Sequence, residues 1–83
     1  MSYFLYILRC GDGSLYTGIT TDVEKRLQAH QRGKGAKYTR GRGPLTVVYR
    51  EFCGDKPTAL RRELAVKALT REQKLALIEK RFT

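Results

Sequence analysis

Five side chains in this sequence have types and spacings that could do chemistry together: Tyr6, Tyr16, Arg26, His30 and Glu63. Val23 and Leu27 define the inward stripe of an amphipathic helix, and Arg26 and His30 share that face by i, i+3 and i, i+4 spacing. A second helix repeats the anomaly. Leu60, Leu64 and Ala68 make its stripe, and Glu63 sits on the same side between Leu60 and Lys67. Burying an uncompensated charge is costly, so these polar groups imply either an internal ion pair, Glu63 with Arg26 or Lys67, or a site. The guanidinium offers a fixed fork of donors that matches a phosphate. The phenols and the imidazole can move protons, the phenols only if a cation eases their ionisation from a pKa of about 10.

The elements that must position these groups follow from patterning. Tyr3–Leu8 is apolar on both pleat faces and predicts a central or near-central strand covered on both sides. Gly11-Asp12-Gly13 is a turn signal, and Leu15–Ile19 predicts the second strand of a hairpin. A three-residue loop at Gly11 to Gly13 sets Leu8 opposite Tyr16 and Tyr6 opposite Gly18, which puts both tyrosines on one face; a two-residue loop would separate them. Thr21 and Glu24 read as a capping box, with a helix from Asp22 to about Gln31. Arg32 to Pro44 is a glycine-rich basic loop, and Leu45–Phe52 a third strand. Asp55 or Thr58 caps a second helix to about Leu69, and a Thr70/Gln73 capping box opens a third to about Phe82. The expected fold is α+β, a small three-stranded antiparallel sheet flanked by helices in the order ββαβαα.

A chain of 83 residues has room for a single domain, residues 1–83, with one modest core. Its net charge of +9 favours a polyanionic partner, with nucleic acid the leading candidate. A membrane surface would want a basic amphipathic helix with a broad apolar face, which is not evident, and neither a transmembrane run nor a secretory signal is present. The expectation is a cytoplasmic protein. Cys10 and Cys53 have no metal-ligand spacing and read as reduced packing residues.

Taken in order, these residues resemble the GIY-YIG nuclease superfamily, in particular its short stand-alone bacterial members. The two name-giving tripeptides are matched by Phe4-Leu5-Tyr6 and Tyr16-Thr17-Gly18, with Phe4 in place of a glycine and Thr17 in place of an isoleucine. Arg26 and His30 match the arginine and the histidine or tyrosine on the next helix, and Glu63 the metal-binding glutamate on a later one. Gly35-Ala36-Lys37-Tyr38-Thr39-Arg40 is similar to a loop of the same members.

The resemblance implies a metal-dependent endonuclease that hydrolyses phosphodiester bonds, with DNA ahead of RNA, in repair, recombination or DNA processing. The alternative is a non-catalytic nucleic-acid-binding module of the same fold. It further implies one Mg²⁺ (or Mn²⁺) held by Glu63, Arg26 stabilising the transition state, Tyr6 accepting the proton of water and Tyr16 as its hydrogen-bonding partner. His30 is an alternative base. From Lys25 to Arg50 there are eight basic residues and no acidic one, and Lys34, Lys37, Tyr38, Arg40 and Arg42 form the expected nucleic-acid-binding surface. A monomer is expected, with room for a protein partner that supplies targeting.

Overall fold

A strand that is apolar on both pleat faces has to be covered on both, and β1 (Tyr3–Arg9) is the middle strand of a sheet ordered β2-β1-β3. The structure is a computed structural model that describes residues 1–80. β2 is Leu15–Thr20 and β3 is Thr46–Gly54, both antiparallel to β1. α1 (Val23–Gln31), α2 (Lys56–Lys67) and α3 (Arg71–Lys80) complete the predicted order ββαβαα. Tyr6 and Leu8 point from β1 into a cluster with Val23 and Leu27 of α1 and Leu45 and Val47. Leu5 and Ile7 point the other way, towards Val66 of α2 and Leu77 and Ile78 of α3. One helix therefore lies on one face of the sheet and two on the other.

Local chemistry moves several predicted boundaries. Asp22, not Thr21, is the N-cap of α1: its backbone is extended and its carboxylate accepts the N–H of Lys25 at 3.1 Å. Aspartate is a strong cap, and Thr20 Oγ1 accepts the N–H of Asp22 and holds it there. Glu24 is thereby released from a capping box and pairs with Arg50 at 2.7 Å. α1 ends at Gln31 as expected, in a Schellman motif in which Gly33 (φ +74°) donates to His30 O and Lys34 to Ala29 O. The basic loop is not wholly irregular, because Lys37–Thr39 form one 3-10 turn.

β3 starts one residue late and runs two residues further than predicted, since Gly54 still pairs with Tyr3. Asp55, rather than Thr58, caps α2 by accepting the N–H of Thr58 at 2.9 Å, and α2 stops at Lys67, short of Leu69. The Thr70/Gln73 capping box forms reciprocally, at 2.9 and 3.1 Å, and opens α3 as predicted. The expected end of that helix at Phe82 lies outside the described residues.

The largest correction concerns which face of α2 is buried. Leu60 and Leu64 are 42% and 69% exposed and Ala68 is exposed as well, whereas Ala59 and Val66 are fully buried. The small side chains of Ala59 and Val66 let the helix axis come close to the sheet, and Arg62 and Glu63 fall on the face they define. Periodicity of leucines misplaced this stripe. Both cysteines are free, Cys10 buried and Cys53 half-buried, in line with a packing role.

Candidate active site

The hairpin sets the first two groups. Its loop is the three-residue turn, closed by Cys10 N–H to Ser14 O and Gly13 N–H to Cys10 O, both 2.9 Å, with Gly13 at φ +86°. Tyr6 is therefore opposite Gly18 and Leu8 opposite Tyr16, and the tyrosine rings share the face that meets α1, with centroids 6.3 Å apart. Gly18 is a requirement of this arrangement. A Cβ there would lie 2.6 Å from Tyr6 Oη, so the phenol occupies the space that any side chain would fill.

α1 supplies the next two. His30 is 1% exposed and its Nε2 stands 2.8 Å from Tyr6 Oη. On the other side of the ring, Nδ1 is 2.9 Å from Thr39 Oγ1 and accepts the backbone N–H of Ala36 at 3.2 Å. Hydroxyl protons rotate to suit either tautomer, whereas the direction of a peptide N–H is fixed. The Ala36 contact therefore assigns the lone pair to Nδ1 and the proton to Nε2, which donates to Tyr6 Oη. Thr39 Oγ1, 2% exposed, stands 2.9 Å from Ala36 O as well as from Nδ1; its one proton serves either acceptor, and both contacts hold the 3-10 turn against the ring. Gly35 makes this approach feasible, since a Cβ there would meet His30 Nδ1 at 2.2 Å. Thr39 and Gly35 are the contributors that sequence reasoning missed. In a polar loop nothing marks one threonine for burial.

Electrostatics draw Arg26 and Glu63 to the same phenol. Tyr6 is pushed up to about 12, first by burial and further by the charges of Tyr16 and Glu63, while the Arg26 guanidinium bonds to its hydroxyl and pulls it down. His30 is pushed below its usual 6.5 by burial and then by the Arg26 charge, which keeps the ring neutral. Glu63 belongs to α2, on the sheet face away from α1, but α2 also packs on β2, the open edge of the sheet, and from there its carboxylate acts on Tyr6. Its side chain is 18% exposed and pairs with Lys67 Nζ at 3.5 Å, one of the ion pairs that the sequence allowed. An i, i+4 pair with a half-exposed lysine is worth only about 0.3–0.5 kcal/mol, so another cation can take its place cheaply.

The basic loop is more committed than its composition suggests. Lys34 and Lys37 are exposed, but Arg40 donates from Nε to Gly33 O at 3.1 Å and Arg42 is paired with Asp12. Tyr38 is 44% exposed, with Tyr16 stacked against it at 5.9 Å and the Arg42 guanidinium 4.5 Å over its ring. Its ring is thus already engaged by Tyr16 and Arg42.

Comparison with known proteins places this geometry. Residues 2–76 match the family described as the GIY-YIG catalytic domain. The chain belongs to the GIY-YIG family. It is 56% identical over 78 residues to a UPF0213 protein of Streptococcus sanguinis (strain SK36), covering 94% of this chain and 90% of that one. It is 59% identical over 75 residues to a UPF0213 protein of Clostridium perfringens (strain 13 / Type A), covering 90% and 81%. The solution NMR structure of the UPF0213 protein BH0048 from Bacillus halodurans superposes with a TM-score of 0.62 at 51% identity, over 95% of this chain and 84% of that one. The protein EF2693 from E. faecalis gives a TM-score of 0.66 at 36% identity, over 100% and 90%.

GIY-YIG nucleases generally use divalent metal ions, and the donors present can be tested against that. No group of three or more His, Cys, Asp or Glu that could enclose a metal occurs among the described residues. One carboxylate that already pairs with a cation is suited to Mg²⁺, which keeps most of its waters and takes phosphate oxygens from a substrate, and unsuited to a closed zinc or calcium site. Glu63 fits the first requirement. No helix among the described residues is long and apolar enough to cross a membrane.

Proposed function

We propose that this chain is a metal-dependent endonuclease that hydrolyses phosphodiester bonds in DNA, working as a single domain over residues 1–83. The observation that carries the proposal is the buried phenol of Tyr6, which stands 2.8 Å from His30 Nε2 and on which the charges of Arg26 and Glu63 both act. Burial holds the phenol protonated, and the Arg26 guanidinium opposes that by favouring the phenolate. Glu63 would hold the divalent ion, which supplies Lewis-acid stabilisation of the phosphoryl oxygens and of the leaving oxygen.

Tyr6 first loses its hydroxyl proton to solvent, and the phenolate, held by the Arg26 charge and the His30 ring, then accepts a proton from the attacking water. His30 acts as a neutral donor rather than as the base, since its Nε2 already carries a proton and Arg26 opposes a second. Arg26 bridges the phenol and the scissile phosphate, whose charge its fork matches. Tyr16, edge-on to His30 at 5.2 Å, walls the site on the side of the basic loop. Repair, recombination or DNA processing in the cytoplasm is the setting to which such an activity belongs.

The test is incubation of the purified protein with labelled single-stranded, duplex and branched DNA, with Mg²⁺ or with EDTA, beside Glu63→Ala. Cutting that needs Mg²⁺ and disappears in the variant is the expected result. Intact DNA that is nevertheless retarded on a gel by both proteins would make this a binding module of the same fold.

A further inference from the structure

An open cleft of about 170 Å³ lies beside Tyr38, between Ser14 and Leu15 at the start of β2 and Arg71 and Lys74 in the first turn of α3. Of the eight acidic residues, Asp12, Glu24, Glu51 and Glu63 are paired with Arg42, Arg50, Arg62 and Lys67, Asp22 and Asp55 cap helices, and Glu72 and Glu79 lie on α3 but do not line the cleft. Arg71 and Lys74 have no ion-pair partner among the described residues. They also stand at a helix N-terminus, where the backbone dipole disfavours cations. The N–H groups of Thr70 and Gln73 are already bound within the capping box, so the side chains, not the helix end, are what the cleft offers. Two cations three positions apart on one helix, lining an open cleft beside a tyrosine, are complementary to a phosphate.

The cleft is joined to the candidate active site by ring contacts. Tyr38 stacks on Tyr16 at 5.9 Å, Tyr16 meets His30 at 5.2 Å, and His30 bonds to Tyr6. A strand that presents a phosphate to Tyr6 and Arg26 and continues along the open edge of β2 reaches Arg71 and Lys74 within a few nucleotides.

We propose that the cleft formed by Tyr38, Arg71 and Lys74 is a second phosphate subsite, which grips the backbone of the nucleic-acid strand a few nucleotides from the bond presented to Tyr6. It rests on the nuclease reading above and extends the binding surface from the basic loop to α3. The subsite tracks backbone and reads no bases, so binding through it is independent of sequence.

The experiment compares the wild type with Arg71→Gln/Lys74→Gln and with a control of equal charge, Lys56→Gln/Arg61→Gln on α2. Binding to a fluorescein-labelled single-stranded oligonucleotide is followed by anisotropy in EDTA over a series of NaCl concentrations. The cleft variant should bind roughly tenfold more weakly, with the slope of log K against log [NaCl] reduced by about 1, while the control keeps the wild-type slope. Equal reductions in both variants would show a net-charge effect and overturn the subsite, as would an unchanged cleft variant. If the wild type itself binds no nucleic acid, the nuclease reading falls and takes the subsite with it.

Discussion

Replacing His30 by glutamine or alanine distinguishes the two ways in which an imidazole could serve Tyr6. With Nδ1 occupied by the Ala36 N–H, Nε2 donates to the phenolic oxygen 2.8 Å away. With the proton on Nδ1 instead, the ring would accept from the phenol and could act as its base. A hydrogen bond to a charged group contributes about 1.5–3 kcal/mol, and one pKa unit corresponds to about 1.4 kcal/mol. Loss of the donor should therefore lift Tyr6 further, and slow a phenolate-dependent step roughly ten- to a hundredfold. Glutamine keeps an N–H near the position of Nε2 and does not titrate; alanine keeps neither property.

The assay is single-turnover cleavage of labelled DNA with Mg²⁺ between about pH 6 and pH 9. Because a base that ionises near 12 is almost wholly protonated in this range, the wild-type rate should climb about tenfold per pH unit without a plateau. His30→Gln should keep that slope and lose less than about tenfold, and His30→Ala should fall by the full factor. If His30 were the base, its pKa, lowered from 6.5, would give a profile that is flat above about pH 7, and glutamine would abolish activity. That pair of results would refute the donor assignment.

Gly18→Ala should cost about 1–3 kcal/mol in stability and most of the cleavage activity, because its Cβ would lie 2.6 Å from Tyr6 Oη; thermal melts and rates report both. Thr17 Oγ1 is buried on the opposite face of β2 without a partner among the described residues, so Thr17→Val should raise stability by about 1 kcal/mol, a melting shift of about 4–8 °C, and leave cleavage unchanged. Glu51 accepts the two-pronged contact of Arg62 at 2.7 and 3.1 Å and the hydroxyl proton of Tyr49; burial alone would raise its pKa, but these partners outweigh burial and lower it from 4.5. A lowered carboxylate stabilises the fold above its unfolded pKa and ceases to do so as pH falls through the folded value. Glu51→Gln should therefore melt below the wild type at neutral pH, and circular dichroism melts of the two should converge as the pH is taken below that value.

Much of the candidate site was legible because its spacings are local. The Gly-Asp-Gly turn fixes the hairpin register, and the register alone puts Tyr6 and Tyr16 on one face. Four helical positions separate Arg26 from His30, and the Val23 and Leu27 stripe turns both inward. The caps are local as well, and their misreadings were shifts of one residue, decided by competition between neighbouring acceptors such as Thr21 and Asp22.

By itself the sequence determined the element order, the central strand, the shared tyrosine face and the basic character of the surface, since each follows from residue type at fixed backbone spacing. Tertiary structure decided what depends on contacts between distant segments. The buried face of α2 follows from how closely Ala59 and Val66 let the helix approach the sheet, which leucine periodicity does not record. The proton on His30 is placed by the Ala36 N–H, and the cleft at Tyr38 exists only because α3 returns to the edge of β2. Such contacts have no fixed spacing along the chain, so the sequence names the groups but leaves their partners to the fold.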